Sequence, residues 1–221
     1  MNKTELVNKD QYTFEDLVYI MELLRAPDGC PWDREQDHRS IRKNFIEETY
    51  EVCEAIDTDD GELLCEELGD VLLQVVFHAR ISEEEGEFTV NEVISGVCKK
   101  LIHRHPHIFA DVVADTSEEV LKNWEDIKRQ EKGRRRISEV LSGVCSCLPA
   151  LMRMQKLVKK SRQNGYEGEF VAPESMTEAE RQIALELYEV CRKADALDVD
   201  AEEVLDKVAS EYVRIAEKSG K

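Results

Sequence analysis

The fold of this chain depends on residues 67–77, which read Glu67-Leu68-Gly69-Asp70-Val71-Leu72-Leu73-Gln74-Val75-Val76-Phe77. On residue type alone, the apolar run from Val71 to Phe77 is compatible with a β-strand, because valine and phenylalanine are common in strands. Its surroundings indicate a helix, since acidic helical turns precede the run and His78-Ala79-Arg80 follows it. We therefore predict a buried α-helix here.

The rest of the sequence also predicts helices, and it contains no credible β-hairpin. Capping residues and turn formers delimit five helices in the first part of the chain. They run from the cap Thr13 to Arg25, from His38 or Ser40 to Asp57, from Glu62 to Glu84, from Val90 (capped by Thr89) to Arg104, and from Thr116 or Ser117 to Glu131. Residues 26–37 are rich in turn formers and are predicted to form a loop. An all-α fold is expected.

The composition argues against several classes of protein. The chain has 221 residues and a net charge of −18, whereas a broad nucleic-acid surface needs a surplus of lysine and arginine. No apolar run approaches the ~18 residues of a membrane span. The polar N-terminus carries no signal-peptide core, so we expect a cytoplasmic protein. The seven cysteines, an odd number, indicate reduced and mostly buried thiols.

A basic stretch, residues 132–136, divides the sequence into two parts. Residues 1–136 contain 32 acidic and 18 basic residues (net −14), and residues 137–221 contain 16 and 12 (net −4). We therefore predict two domains, 1–136 and 137–221, with most of the acidity in the first. In the second we predict three helices, Leu148–Arg162, Met176–Ala196 and Asp200–Lys218.

Two acidic motifs can bring their carboxylates together. Residues three or four apart share a helical face, so Glu48 neighbours Glu51, and Glu67 neighbours Asp70. Glu47 flanks Glu51 in the same way. If the two helices pack antiparallel, these carboxylates converge and repel one another unless a cation neutralises them. Mg²⁺ suits such a site, because it prefers oxygen ligands and keeps waters that phosphates can replace.

The residues around these acids bear on the interpretation. Gly69 costs roughly 0.5–1 kcal/mol relative to alanine inside a helix, and close helix approach or ligand access would explain it. The apolar neighbours of the acids are expected to be buried; they are Ile46, Val52, Ile56, Leu68, Val71, Leu72 and Val75. Spacing alone leaves two interpretations open, a metal site and a solvent-exposed acidic face.

Five motifs follow one another between residues 14 and 132. They are Gly29-Cys30-Pro31-Trp32-Asp33, Glu47-Glu48-x-x-Glu51, Glu67-x-x-Asp70, Lys100-x-x-x-Arg104-His105-Pro106-His107-x-Phe109 and Trp124-Glu125-x-x-Lys128. In this order they resemble the signature of the MazG family of nucleotide pyrophosphohydrolases. One acidic motif is only moderately specific, but five ordered motifs are highly specific.

The resemblance implies a MazG-like helical bundle, dimeric in the family. It implies Mg²⁺-dependent (or Mn²⁺-dependent) cleavage of nucleoside triphosphates to monophosphate and pyrophosphate, in nucleotide house-cleaning or pool control. Carried over by position, the metal ligands would be Glu48, Glu51, Glu67 and Asp70. The attacking water would be oriented by Glu47 or Glu48. Phosphate and nucleotide contacts would come from Lys100, Arg104, Trp124 and Lys128.

Other interpretations of single motifs stay open beside this one. Trp124 is also compatible with a place in the core. The histidines around Pro106 and the pair Cys145 and Cys147 resemble zinc ligands in residue type. Neither set has the spacing of a complete zinc site, because the proline interrupts the helix and the C-x-C lacks a second pair.

The second part departs from the family pattern. Residues 148–157 and Gly165-Tyr166 resemble the start of a second MazG-like domain, but no further acidic motif follows. We interpret residues 137–221 as a degenerate, shortened helical extension that supports packing or dimerisation. A non-catalytic nucleotide-sensing or protein-interaction module on the same fold is the alternative function. A purely structural acidic bundle leaves the ordered motifs unexplained.

Overall fold

The described residues of the computed structural model, 3–110, 112, 114, 116–132 and 136–219, are helical and contain no strand. Within residues 116–132, the side chains of 122, 125, 126 and 128–132 lie outside this description. The helices are α1 (Lys3–Val7), α2 (Phe14–Arg25), α3 (Pro31–Glu35), α4 (Arg42–Asp57), α5 (Gly61–Glu84), α6 (Val90–Arg104), α7 (Pro106–Phe109), α8 (Ser117–Lys132), α9 (Ile137–Ser142), α10 (Ala150–Gln163), α11 (Glu178–Ala196) and α12 (Ala201–Lys218). The predicted all-α fold is confirmed.

The chain forms two compact units, residues 1–124 and 125–221. The division falls within α8, and each unit is described by itself below. The predicted domain boundary after residue 136 stays a prediction, and residues 133–135 of the predicted linker lie outside the described residues.

A helical hairpin of α4 and α5 is the centre of the first unit. The turn between them uses Asp59 in the left-handed region (φ 54°), a conformation that aspartate tolerates better than most residues. The next residue, Asp60, caps α5 by accepting hydrogen bonds from the backbone N–H groups of Glu62 and Leu63, both at 3.0 Å. The short turn makes the two helices antiparallel neighbours.

The C-terminal half of α5 supplies the core of this unit. Val76, Phe77 and Ile81 are buried together with Met21 of α2 and Ile41, which precedes α4. Partly buried residues of α2 and α5 complete the cluster; they are Phe14, Leu17, Val18, Leu24 and Leu73. The helix predicted over residues 67–77 is therefore confirmed, and its burial begins after the acidic residues.

The predicted helix starts are confirmed where a capping box is present. Thr13 and Asp16 cap α2 reciprocally, and Thr89 and Glu92 do the same for α6. Two short helices, α3 and α7, lie in stretches where no helix was predicted. Both have proline in the first helical turn, where its missing N–H and fixed φ are favourable.

Arg25 connects the loop after α2 to the core. Its guanidinium donates to the carboxylate of Glu84 at 2.8 Å and to the backbone carbonyls of Asp33 and Gln36, the latter at 3.1 Å. It also lies 5.4 Å from the centre of the Phe77 ring. The loop around α3 is thus fixed by charge-assisted hydrogen bonds to a single side chain.

The loop also depends on Gly29. A Cβ atom at this position would lie 2.3 Å from the carbonyl oxygen of Leu24, so the backbone leaves no room for a side chain. Trp32 stays 57% exposed, with its ring edge-on to Phe77 at 6.5 Å. The loop is therefore not anchored by burial of this tryptophan.

The second unit is built on the packing of α10 against α11 and α12. Arg162 of α10 donates to the buried carboxylate of Asp195 on α11 at 2.7 Å. Cys191, one helical turn before Asp195, is also buried. The three helices predicted here are present, with starts one or two residues later than predicted. Capping explains two of these offsets, because Thr177 and Asp200 act as caps before the first helical residue.

The prediction of mostly buried thiols is wrong. No disulfide links the described cysteines, but only Cys191 is buried. Five are exposed, namely Cys53, Cys65, Cys98, Cys145 and Cys147. Helical periodicity identified an apolar face for several of them, but it does not show whether another part of the same chain covers that face.

Candidate functional site: an acidic cluster on the α4–α5 hairpin

The α4–α5 hairpin brings carboxylates from both acidic motifs together. Glu48 of α4 and Glu67 and Asp70 of α5 each offer an oxygen atom, and these atoms all lie within 4.8 Å of one another. Glu67 is buried, and the other two are half-buried. The convergence arises because antiparallel helices place the E-x-x-E face of one opposite the E-x-x-D face of the other.

The cluster raises the pKa of two of its members. Partial burial is the main cause for Glu48, followed by a hydrogen bond to Glu51 and by the charge of Asp70. Burial is also the main cause of the raised pKa of Glu67, with the charges of Glu51 and Asp70 next. The site therefore holds negative charge that its own residues do not neutralise.

The two remaining acids of the first motif differ in position. Glu51 is half-buried and lies close enough to Glu48 and Glu67 to contribute to the raised pKa of both, so it adjoins the group. Glu47 is exposed and is not part of the three-residue group.

The immediate surroundings of the acids are more open than predicted. Of the seven apolar neighbours expected to be buried, none is fully buried, and four are exposed: Ile46, Ile56, Leu68 and Leu72. Close helix approach does not explain Gly69, because a Cβ atom there would meet nothing within 4 Å in the described part of the chain. Ligand access remains the open explanation for this glycine.

Gln74 belongs to the same face of α5 and was missed by the sequence prediction. It follows Asp70 by one helical turn and is buried, yet its Oε1 atom has no hydrogen-bond partner among the described residues. Buried polar atoms are normally satisfied, so a polar group is expected beside it when the site is in use. A glutamine inside an apolar run, in phase with Glu67 and Asp70, was the available sequence signal.

The predicted phosphate and nucleotide residues lie on α6 and α8. Lys100 is exposed on α6, and Arg104, one turn later, is half-buried. The guanidinium carbon of Arg104 lies 5.6 Å from the centre of the Trp124 ring, within the range of a cation–π contact. The structure thus brings Arg104 and Trp124 together, while the side chain of Lys128 lies outside the described residues.

The alternative zinc ligands do not form a metal-binding group. Two groups of three ligand-type residues occur among the described residues, and neither includes the histidines of residues 103–107, Cys145 or Cys147. His105 instead contacts the carbonyl oxygen of Leu101 through Nδ1 at 2.7 Å.

The donor set fits a hard divalent cation. It consists of carboxylate oxygens alone, it spans less than 5 Å, and its raised pKa values reflect uncompensated charge. Such oxygen-rich sites suit Mg²⁺ and Mn²⁺ better than softer metals.

Comparison with known proteins agrees with this geometry. Residues 36–109, which contain the whole acidic cluster, match the MazG nucleotide pyrophosphohydrolase domain. A protein of Thermotoga maritima called nucleoside triphosphate pyrophosphohydrolase/pyrophosphatase MazG is 40% identical over 215 residues, which cover 90% of this chain and 82% of that protein. The chain belongs to the MazG family.

Two further relatives differ in how much of their own length this chain matches. The nucleoside triphosphate pyrophosphohydrolase of Escherichia coli K12 is 44% identical over 71% of this chain and 60% of its own length. The uncharacterized protein YabN of Bacillus subtilis is 49% identical over 67% of this chain but only 30% of its own length. This MazG-family chain is therefore shorter than both. In its described residues, no helix is long and apolar enough to cross a membrane.

Proposed function

We propose that this MazG-family protein hydrolyses nucleoside triphosphates to monophosphate and pyrophosphate with Mg²⁺. The observation that carries the proposal is the convergence of Glu48, Glu67 and Asp70 within the region that matches the family domain. The printed names of the Thermotoga and E. coli relatives support the same reaction. A cytoplasmic role in nucleotide house-cleaning or pool control belongs to this proposal.

In this proposal the cation is held by Glu48, Glu51, Glu67 and Asp70, and Mn²⁺ can replace Mg²⁺. A divalent ion bound there would neutralise phosphate charge in the transition state. The protein's own contribution is to hold four carboxylates in place before substrate arrives. The antiparallel hairpin does this by fixing two of them on each helix.

The basic and aromatic residues would hold the substrate. Lys100 and Arg104 provide positive charge on one face of α6, and phosphate oxygens are their natural partners. The Arg104 guanidinium lies against the Trp124 ring, and the ring would offer a surface for a nucleobase. Lys128 follows Trp124 by one helical turn and would contact the nucleotide from the same helix.

A carboxylate must also orient the attacking water and accept its proton. We propose Glu47 or Glu48 for this role. Glu48 shares the acidic cluster with Glu67 and Asp70, whereas Glu47 stays exposed beside it. The Glu47→Gln variant distinguishes the two, because Glu47 lies outside the metal-binding group: a large loss of kcat with metal binding retained would identify Glu47 as the base. Full kcat in Glu47→Gln would leave the role to Glu48, whose own substitution also removes a metal ligand.

Apolar residues on α6 support a homodimer. This helix has no buried residue, although it carries five large apolar side chains. Each of them is at least 38% exposed: Val93, Ile94, Val97, Leu101 and Ile102. An exposed apolar surface of this kind is typical of a protein interface. A second copy of the chain is its proposed partner, and sedimentation of the full chain measures this directly.

The reaction is tested with a panel of ribo- and deoxyribonucleoside triphosphates, with and without Mg²⁺, and chromatographic separation of products. Monophosphate and pyrophosphate are expected. Diphosphate and phosphate would show that a different bond is cleaved. Absence of turnover in a folded protein would favour the nucleotide-sensing or protein-interaction module.

The site is tested with Asp70→Asn and Glu51→Gln, which keep shape but remove a metal-binding charge. We expect kcat to fall on the order of 10²-fold or more, because the cation supplies several kcal/mol of transition-state stabilisation. Glu54→Gln, an exposed carboxylate one turn after Glu51, is the matched control and should keep full activity. Full activity in both site variants would contradict the assignment.

A further inference from the structure

A second cluster of metal-ligand residues lies at the opposite end of α5 from the acidic site. His38 precedes α4, and Glu85 and Glu87 follow the last residue of α5. One ligand atom from each lies within 4.8 Å of the other two. We propose that these three residues bind a divalent transition-metal ion of the zinc type, separate from the Mg²⁺ site.

The backbone at the end of α5 is folded so that both glutamates reach the same place. Gly86, between them, adopts the left-handed conformation (φ 74°) that favours glycine. The N–H of Glu87 then donates to the carbonyl oxygen of Ser82 at 2.9 Å, which turns the chain back over the helix end. As a result, Glu87 returns towards the helix instead of continuing away from it.

The His38 ring is held in position by a second imidazole. It lies edge to edge with the His78 ring, with 5.0 Å between centroids and a 5° angle between planes. Their Nδ1 atoms are 2.7 Å apart, so one proton must lie between them. If His38 donates it, the lone pair on His38 Nε2 is available, and metal-binding histidines usually donate their second N–H in this way.

The Nε2 atom faces the remaining groups of the cluster. The hydroxyl of Ser82 lies 3.2 Å from it and can donate to its lone pair in the metal-free protein, so a bound ion would replace this hydrogen bond. The nearest carboxylate oxygen of Glu85 is 3.9 Å away. The His38 side chain is 38% exposed and that of Glu85 is 53% exposed, so an ion can enter from solvent.

The neighbouring carboxylates are engaged elsewhere. Glu83 pairs with Arg80 at 3.2 Å, and Glu84 pairs with Arg25 at 2.8 Å and with Arg80 at 2.9 Å. The ion pairs found in the described residues give Glu85 only the contact with His38 and give Glu87 none. Two carboxylates beside a single imidazole offer negative charge for a cation to neutralise.

The residue types favour zinc over magnesium. Imidazole nitrogen and carboxylate oxygen are both zinc ligands, and nitrogen ligands favour zinc, copper and nickel over Mg²⁺. Ligand atoms bound at ~2.0–2.2 Å lie at most about 4.4 Å apart, so a small closure of two exposed glutamates completes the site. The bound ion would link the loop before α4 to the end of α5.

The test uses nuclear magnetic resonance of the imidazole nitrogens in the ¹⁵N-histidine-labelled full chain, with Zn²⁺ added in excess Mg²⁺. His38 Nε2 should shift to a metal-bound value while His38 Nδ1 stays protonated. Assignment comes from His38→Ala and His78→Ala spectra. Because the readout is specific to His38, zinc taken up by the exposed cysteines does not imitate it.

Matched variants decide which carboxylates take part. Glu85→Gln and Glu87→Gln should each weaken the zinc affinity seen at His38 by about tenfold or more. Glu83→Gln, a charge removal at the same helix end, should change it less than twofold. Asp70→Asn should leave the His38 shift intact. Unshifted His38 signals at saturating Zn²⁺, or equal effects of the three glutamine variants, would overturn the proposal.

Discussion

The two halves of α5 differ in what they do for the molecule. The C-terminal half contributes Val76, Phe77 and Ile81 to the core of the first unit. The N-terminal half carries Glu67 and Asp70, with a raised pKa at Glu67 and no member of the core cluster. One helix therefore combines a stabilising segment with a segment that works against stability in the absence of a cation.

The difference teaches how an acidic site can persist in a stable fold. Repulsion among carboxylates would separate two isolated helices. Here α5 is fixed by its buried half, so its other half stays beside α4 although the carboxylates repel one another. Substitutions in the two halves should accordingly have opposite effects on stability in the metal-free protein.

The largest effect is expected in the buried half. Phe77→Ala should lower the free energy of unfolding by about 3–5 kcal/mol, because it removes a ring buried among Met21, Ile41 and Val76 and leaves a cavity. Urea denaturation followed by circular dichroism measures this. Leu72→Ala, at a position 40% exposed on the same helix, should cost much less. Equal losses at the two positions would remove the distinction between the halves.

A smaller, pH-dependent loss in the free energy of unfolding is expected when Glu84, the last residue of α5, is substituted. Partial burial acts to raise the pKa of Glu84, but its hydrogen bonds and ion pairs with Arg25 and Arg80 outweigh this, and the net pKa is lowered. A lowered pKa in the folded state adds stability above the ordinary pKa, and this is lost as pH falls through the folded value. Glu84→Gln should therefore cost about 1 kcal/mol at pH 7, allowing for solvent screening.

The comparison is made by thermal unfolding of wild type and Glu84→Gln from pH 7 to pH 3. The two curves should converge as pH falls through the lowered pKa of the folded state, because the wild-type carboxyl then takes up its proton. Glu83→Gln is the control, because Glu83 is more exposed and pairs only with Arg80. A difference that stays constant down to pH 3 would contradict the ion-pair explanation.

The smallest effect, of opposite sign, is expected in the acidic half. Glu67→Gln should slightly raise the melting temperature of the metal-free protein, because it removes one of several repelling charges. In magnitude, this rise in melting temperature should be smaller than the fall in melting temperature that Glu84→Gln causes at pH 7.

Without Mg²⁺, Glu67→Gln should melt at a slightly higher temperature than wild type; with Mg²⁺, wild type should melt at the higher temperature. Wild type should gain stability from the ion, and Glu67→Gln should gain less, since ligand binding to the folded state stabilises it. Differential scanning calorimetry with and without Mg²⁺ measures both. A Glu67→Gln variant that is less stable than wild type in the metal-free state would show that this residue is structural.

Much of the first unit could be predicted because its signals are local. Thr13 with Asp16 and Thr89 with Glu92 have the spacing of capping boxes, and both helices begin where this spacing predicts. The stretch ending at Phe77 was correctly predicted as helix from its flanks. The spacing of the acids predicted which carboxylates share a helical face, and the hairpin brings three of them together.

What the sequence could not show concerns contacts between distant segments. Periodicity identifies an apolar face, but Leu68 and Leu72 remain exposed because no described part of this chain covers them. The contact between the His38 and His78 rings joins residues 40 positions apart, and neither residue belongs to a recognisable motif with the other. The openness around Gly69 likewise depends on what lies opposite it in space.

The contacts of Arg25 have a consequence for how the molecule opens. One guanidinium joins α2, the loop around α3 and the end of α5, and it lies against the Phe77 ring. Segments connected in this way are expected to unfold together rather than one at a time. Although residues 26–36 form a largely exposed loop, the hydrogen-bonded amides near its glycine should exchange with deuterium at the slow, shared rate of the core. The loop that precedes the acidic hairpin would then open at the same rate as the core of the first unit.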